Sequence, residues 1–281
     1  MSVCFNVEIA GHIAHVQFKR AAEMNTMIPA FWNEFPQVIR DIDENAKARV
    51  IVISSTGKHF SAGMDLAVFT SGDGVGGEAA KHRETGRVRA NLRNEVLRLQ
   101  ETFNVLDNAR IPVLAAVQGG CVGGAVDLTS ACDMRYCTRD AFFVIQEINI
   151  GMTADVGTFP RLCHLIPQGW VRELAYTGRR LYADKAKEIG LVNEVYEDHA
   201  ALMKGVMETA REIASRSPLA VYGSKVMINY ARDHAVKDSL DYIATWQAGM
   251  FQPKDMIEAF AAKAEKREGR FDDLYPLKKS M

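Results

Sequence analysis

Residues 5–18 alternate apolar and polar positions about a central Gly11 (FNVEIA-G-HIAHVQF), the period-two pattern of two paired strands joined at a turn. From about Pro29 to Asp43 the period changes. Phe31, Phe35, Val38, Ile39 and Ile42 recur at helical spacing, which predicts an amphipathic helix. The run Arg49-Val50-Ile51-Val52-Ile53-Ser54 does not alternate. A β-branched, nearly all-apolar segment of this kind predicts a strand covered on both faces, hence a parallel sheet. Pro112 to Val117 repeats it. Between the two runs lie a glycine-rich loop, SGDGVGGEAA (71–80), and a long helix predicted from about Ala79 to Asp107. Strand and helix in turn give an α/β rhythm. From about Leu202 the pattern is helical and amphipathic, so the expected division is an α/β core domain over 1–200 and a helical region over 201–281. No internal repeat is visible.

At 281 residues, 48% apolar and 25% charged, the chain can bury a sizeable core as one large domain or one domain with an appendage. A formal net charge of -1 without a basic run argues against nucleic acid and for a small-molecule partner. The longest apolar stretches, such as Val113 to Val117, fall far short of the roughly 20 residues of a membrane helix. The N-terminus lacks a charged segment followed by an apolar one and is not an Arg-rich amphipathic stretch. Lys278-Lys279-Ser280-Met281 is not a Ser-Lys-Leu signal. Cys4, Cys121, Cys132, Cys137 and Cys163 are odd in number and form no CxxC pair, so they read as reduced thiols. Cytoplasmic location is the expectation. No HExxH or Cys/His quartet is present, so no metal is expected, and neither a GxSxG elbow nor a GxGxxG loop appears.

The candidate chemistry lies in two glycine loops and three acids. Lys58 to Leu66 (KHFSAGMDL) follows the first buried strand, and a glycine there lets the chain turn and aim the next N–H into a pocket. Gln118 to Leu128 (QGGCVGGAVDL) follows the second, with paired glycines at the start of a helix whose N-terminus carries partial positive charge. Asp127, three positions after Gly124, is either a first-turn acid complementing the helix dipole or a carboxylate sharing the face of that N–H. Glu147 sits among Phe142, Phe143, Val144, Ile145, Ile148 and Ile150, so it is either an outward strand residue or a buried acid of raised pKa. Asp155, just past Gly151, taken alone reads as a helix N-cap. His59 beside the first loop reads as structural, and Arg93 and Arg98 as a solvated helix face.

Together the two loops and three acids resemble the crotonase (enoyl-CoA hydratase/isomerase) superfamily. Residues 111–162 are most similar to its Δ3,5-Δ2,4-dienoyl-CoA isomerase branch, and the likeness extends into 215–246. The resemblance implies a spiral of ββα units (ClpP-like) with a C-terminal helical region, assembled as a homotrimer or dimer of trimers. It implies an oxyanion hole from the N–H groups of Met64 and Gly124, with Ser61, Ala62, Gly63, Asp65, Leu66, Gly120 and Gly123 around an acyl-CoA substrate. Phe260, Lys263 and Lys266 would reach coenzyme A, across a subunit boundary. Coenzyme A is then part of the substrate, and no separate cofactor is implied. Asp127 and Glu147 occupy positions that hydratases fill with glutamates, and Asp155 one where they usually have glycine and dienoyl isomerases aspartate. Ala125 stands where the family more often has a third glycine, and Ala67 where some hydratases carry a lysine near the coenzyme A phosphates.

The implied reaction moves a 3,5-diene to the 2,4-position, within fatty acid β-oxidation. C2 loses a proton, C6 gains one, and the thioester oxygen becomes enolate-like between the two steps. One oxyanion donor is worth about 3 kcal/mol. C2 and C6 lie about 5 Å apart in an extended chain, too far for one carboxylate to serve both. Glu147 is expected to take the C2 proton and a protonated Asp155 to supply C6, with Asp127 orienting them. Two alternatives stand beside this: a 2-enoyl-CoA hydratase using Asp127 and Glu147 to hold water, and a silent or RNA-binding member of the superfamily. The loop 71–80 and the helix after it are expected to line the acyl end of the pocket.

Overall fold

A computed structural model describes residues 2–65, 68 and 84–277. The loop 71–80, the predicted start of the long helix, Leu66, Ala67 and residues 278–281 lie outside the described residues. The hairpin forms as β1 (Phe5–Ala10) and β2 (Ile13–Phe18), antiparallel about Gly11. It is followed by α1 (Pro29–Glu44), β3 (Val50–Ser55), α2 (Thr85–Asn108) and β4 (Val113–Val117). Next come β5 (Gly120–Val122), α3 (Gly124–Ala131), β6 (Met134–Thr138), β7 (Phe142–Val144), α4 (Thr158–Leu165) and α5 (Gln168–Thr177). The core closes with β8 (Leu181–Tyr182), α6 (Ala183–Glu188) and β9 (Glu194–Tyr196). Four helices end the described chain: α7 (His199–Ala214), α8 (Pro218–Asp233), α9 (Val236–Met250) and α10 (Pro253–Glu265).

The main sheet runs β1-β2-β3-β4-β6-β9, parallel from β2 onward. A smaller sheet, β5-β7-β8, stands beside it. The unalternating runs divide their side chains between two faces. Ile51, Ile53, Val113, Ala115 and Val117 join a core with Phe31, Phe35, Phe103 and Leu106 of α1 and α2. Val50, Val52, Leu114 and Ala116 join a second core under Leu202, Val206, Ala210 and Ala214 of α7. Coverage on both faces is why these strands needed no polar positions.

The apolar face of α1 carries an aromatic cluster in which Phe31 stacks on Phe35 at 5.3 Å and Phe5, Phe18 and Phe103 surround them. Each such ring buried contributes roughly 1.5–3 kcal/mol. Pro36 sits inside α1 and cannot donate to the carbonyl of Trp32. The Thr102 hydroxyl of α2 donates to that oxygen at 3.5 Å, partly replacing the missing bond. Further on, Lys225 of α8 is buried and donates to Leu106 O (2.7 Å), Ile111 O (3.2 Å) and Asp133 Oδ2 (2.9 Å). One satisfied ammonium thus pins α8 to the last turn of α2, to the loop before β4 and to the loop before β6. No described helix is long and apolar enough to cross a membrane.

Candidate active site

Because β3 and β4 are neighbours in register (Ile51 opposite Val113, Ile53 opposite Ala115), the loops that leave their C-terminal ends emerge side by side. The loops then pair with each other. Ser61 N–H donates to Gly120 O and Val122 N–H to Ser61 O, both at 3.1 Å. Gly63 has φ +82, and a Cβ there would lie 2.5 Å from Val122 O and 3.3 Å from Gly124 N. Only glycine admits that approach. The contact brings Met64 N beside Gly124, where an added Cβ would sit 4.0 Å from it. Among the described residues neither the Met64 nor the Gly124 N–H donates a hydrogen bond, so both are available to one acceptor.

The rest of the first loop is tied down from within. The Ser61 hydroxyl donates to Asn25 O (2.8 Å) and accepts from Gly63 N–H (3.1 Å). Asn25 Nδ2 donates to Thr56 O (2.8 Å) and His59 O (3.1 Å). Ala62 N–H is used by Met24 O, and Asp65 accepts from Thr26 Oγ1 at 3.0 Å. His59 accepts the Gly120 N–H on Nδ1 at 2.9 Å, so its role here is to hold the second loop.

Asp127, in the first turn of α3, is almost wholly buried at 1% exposure. Its Oδ1 accepts both the N–H (2.7 Å) and the hydroxyl (2.8 Å) of Thr158, the first residue of α4. Burial pushes its carboxyl up to about 6, against the Thr158 bonds and the charge of Arg161, which lower it; Asp155 adds to the rise. Glu147 begins a short 3-10 turn, Glu147–Ile150, rather than continuing a strand. Of its expected apolar surround, Phe143, Val144 and Ile145 are buried, while Ile148 and Ile150 face outward. Among the described residues no hydrogen-bond partner reaches its buried Oε2. Gly123 has φ +55, and a Cβ there would lie 3.2 Å from Glu147 Oε1, so this glycine gives the carboxylate its room beside Gly124. Burial first, then the charges of Asp127 and Asp155, push Glu147 up to about 7. Asp155 lies on the exposed rim of the loop before α4, where Gln100 of α2 donates to its backbone O at 2.7 Å. Partial burial raises its carboxyl as well.

The structure therefore gathers Gly63, Met64, Gly120, Gly123, Gly124, Asp127, Glu147 and Asp155 into one region. Asp155 does not cap α4; Gly157 holds the N-cap position, and Asp127 supplies the acceptor from another segment. Leu66 lies outside the described residues. Phe260 and Lys263 line a separate cavity of about 1170 Å³ among α8, α9 and α10, whose lining includes none of the acids or loop glycines. Thr158 and Asn25 carried no signal in the sequence, because their bonds span 31 residues or more. Among the described residues no group of three or more His, Cys, Asp and Glu is placed to hold a metal.

Two backbone donors beside clustered carboxyls of raised pKa suit proton transfer next to a carbonyl oxygen. The family model "Enoyl-CoA hydratase/isomerase" matches residues 8–274, and the chain belongs to that family. It is 43% identical over 260 residues to the mitochondrial Δ(3,5)-Δ(2,4)-dienoyl-CoA isomerase of Mus musculus, covering 92% of this chain and 78% of that one. It is 37% identical to the peroxisomal enzyme of that name from Arabidopsis thaliana, covering 93% of each. A crystal structure of an enoyl-CoA hydratase from Bacillus anthracis superposes with a TM-score of 0.83 at 28% identity, over 98% of this chain and 99% of that one. The α/β fold is thus the crotonase fold. The expected cytoplasmic location does not stand, since these relatives are named mitochondrial and peroxisomal. Organelle addresses are read from segments that add nothing to a folded core, so composition and unpaired thiols do not report them.

The buried acids carry a pH signature. Asp127 rises on folding from an ordinary 3.8 to about 6. A carboxyl raised in this way contributes stability that is fully present below about pH 4 and lost as pH climbs through 6. At 1.36 kcal/mol per unit this amounts to about 3 kcal/mol. Asp127→Asn should therefore gain about 3 kcal/mol more over wild type at pH 8 than at pH 4 in urea unfolding. An equal effect at both pH values would show that Asp127 titrates as an ordinary aspartate.

Proposed function

We propose that this chain isomerises 3,5-dienoyl-CoA to 2,4-dienoyl-CoA, within fatty acid β-oxidation. The thioester oxygen accepts from Met64 N–H and Gly124 N–H, and the dienolate that forms is held there as charge spreads from the oxygen to C6. Ionised Glu147 removes the C2 proton, which suits a carboxyl pushed up to about 7, since a useful base titrates near the working pH. Protonated Asp155, also raised, gives its proton to C6. Glu147 is then protonated and Asp155 ionised, and the pair resets when Glu147 releases its proton to solvent through the emptied pocket and the exposed Asp155 takes one up. Asp127, raised to about 6, is a like-charge neighbour whose charge interacts with both and couples their titrations. The observation that carries the reading is the buried Glu147 Oε2 beside two N–H groups, none of the three with a hydrogen-bond partner among the described residues.

Coenzyme A enters as part of the substrate, and the chemistry calls for no separate cofactor. Ser61, Ala62, Gly63, Asp65, Gly120 and Gly123 shape the thioester pocket. The chain works as a homotrimer or dimer of trimers, in which Phe260 and Lys263 serve coenzyme A at a subunit boundary. Exposed Ile228 (71%), Leu240 (61%) and Phe260 (66%) on the C-terminal helices support such an assembly.

The deciding experiment is the ultraviolet spectrum of the protein mixed with a 3,5-dienoyl-CoA, with a 2-enoyl-CoA in parallel. Growth of the longer-wavelength band of a diene conjugated to the thioester is expected. Asp155→Asn should cut that rate at least about 100-fold while thioester affinity stays near wild type. Loss of 2-enoyl absorbance alone would make the chain a hydratase. Sedimentation equilibrium should return three or six times the chain mass, and a monomer would remove the proposed assembly.

A further inference from the structure

We propose that Thr158 is a positioning residue for the acid cluster: its hydroxyl and N–H together hold Asp127 Oδ1 and keep that carboxylate ionised and fixed beside Glu147. The kinetic part of this inference rests on the isomerase reading, whereas the positioning part does not.

Thr158 is buried at 1% exposure, and its two bonds to Asp127, at 2.7 and 2.8 Å, both land on Oδ1. Among the described residues no hydrogen bond reaches Asp127 Oδ2. The N–H is one that the first turn of α4 would leave unsatisfied, so the helix supplies it whatever residue stands there. The hydroxyl is different, because only serine or threonine at 158 provides it. Gly157, at φ +133, lies under the Arg161 guanidinium, where a Cβ would come within 1.9 Å of Nη1. Arg161 is itself fixed by Asp107 Oδ2 (2.8 Å) and Asn104 Oδ1 (2.8 Å) of α2. The first turn of α4 is therefore held rigidly, and Thr158 passes that rigidity to Asp127.

The groups acting electrostatically on Asp127 are Asp155 from the loop before α4 and Arg161 from α4, and Asp127 acts in turn on Glu147 and on Cys121 of β5. Asp155 opposes its ionisation; Thr158 and Arg161 favour it. Removing the hydroxyl leaves a buried carboxylate with one donor fewer. Asp127 then takes up a proton at higher pH, and its charge is withdrawn from the field at Glu147.

The test compares Thr158→Val with Thr158→Ser, and Thr158→Ala repeats the comparison should valine not pack. Isotope-edited infrared titration of 13C-aspartate protein, with Asp127 assigned by difference against Asp127→Asn, needs no substrate. Thr158→Val should move the Asp127 titration up by about one to two pH units, and Thr158→Ser should leave it at the wild-type position. With dienoyl-CoA, Thr158→Val should lower kcat about 10-fold or more, leave KM near wild type and shift the acid limb of the pH profile downward, because Glu147 loses the Asp127 charge that holds its carboxyl up. An unmoved Asp127 titration in the hydroxyl-free variants overturns the inference whatever turnover does, and so does a serine variant shifted as far as valine. Wild-type protein inactive on dienoyl-CoA would remove the isomerase reading alone, with the infrared comparison still deciding the role of Thr158.

Discussion

Two backbones meet at Gly63 and Val122–Gly124 at a separation that excludes a single Cβ, and the rest of the site depends on that contact. It is possible because β3 and β4 are parallel neighbours whose ends release their loops in the same direction. The loops then bond to each other through Ser61, Gly120 and Val122 before any side chain is involved. A donor pair built in this way has few ways to relax, because each N–H is fixed by a strand register. Preorganised donors of this type need no reorientation when charge appears on the substrate.

Around that rigid pair the carboxyls sit in an environment that resists their charge. Burial is the largest influence on Asp127, on Glu147 and on Asp155, and each raised group makes ionising its neighbours harder. At Asp127 the opposing influences come from one place, the start of α4, through the Thr158 bonds and the Arg161 charge, whereas at Glu147 and Asp155 they come from nearby backbone N–H groups. Arg161 is anchored to Asp107, which also binds Arg232 of α8 at 3.2 Å. The proton inventory of the site thus connects, through two arginines, to the packing of the C-terminal helices.

The buried strands were legible in the sequence because coverage on both faces removes every polar position, and β3 and β4 begin and end within a residue of the predicted bounds. The hairpin and α1 were legible from periods of two and about 3.6, although β1 buries only Phe5 of its alternating apolar positions. The small sheet was not, because strands of two or three residues are too short to show a period. Both glycine loops and all three acids were visible as residue types in suggestive places. The secondary structure around Glu147 was not, since the apolar residues on its two sides go opposite ways, Ile145 inward and Ile148 outward. Asp155 offered a local capping pattern that lost to a non-local one, in which Asp127 accepts from a helix 31 positions downstream. Partnerships of that separation leave no periodicity behind.

The Asp127–Thr158 bond has a consequence for the history open to such a chain. On the proposed reading one carboxylate serves the reaction and also satisfies the opening turn of a helix, which couples the two positions. A longer acid at 127 would meet the first turn of α4, and a residue at 158 without a hydroxyl would leave the shorter acid under-satisfied. A change at either position acts on the site and on the helix start together, so the effects of two substitutions there do not add independently.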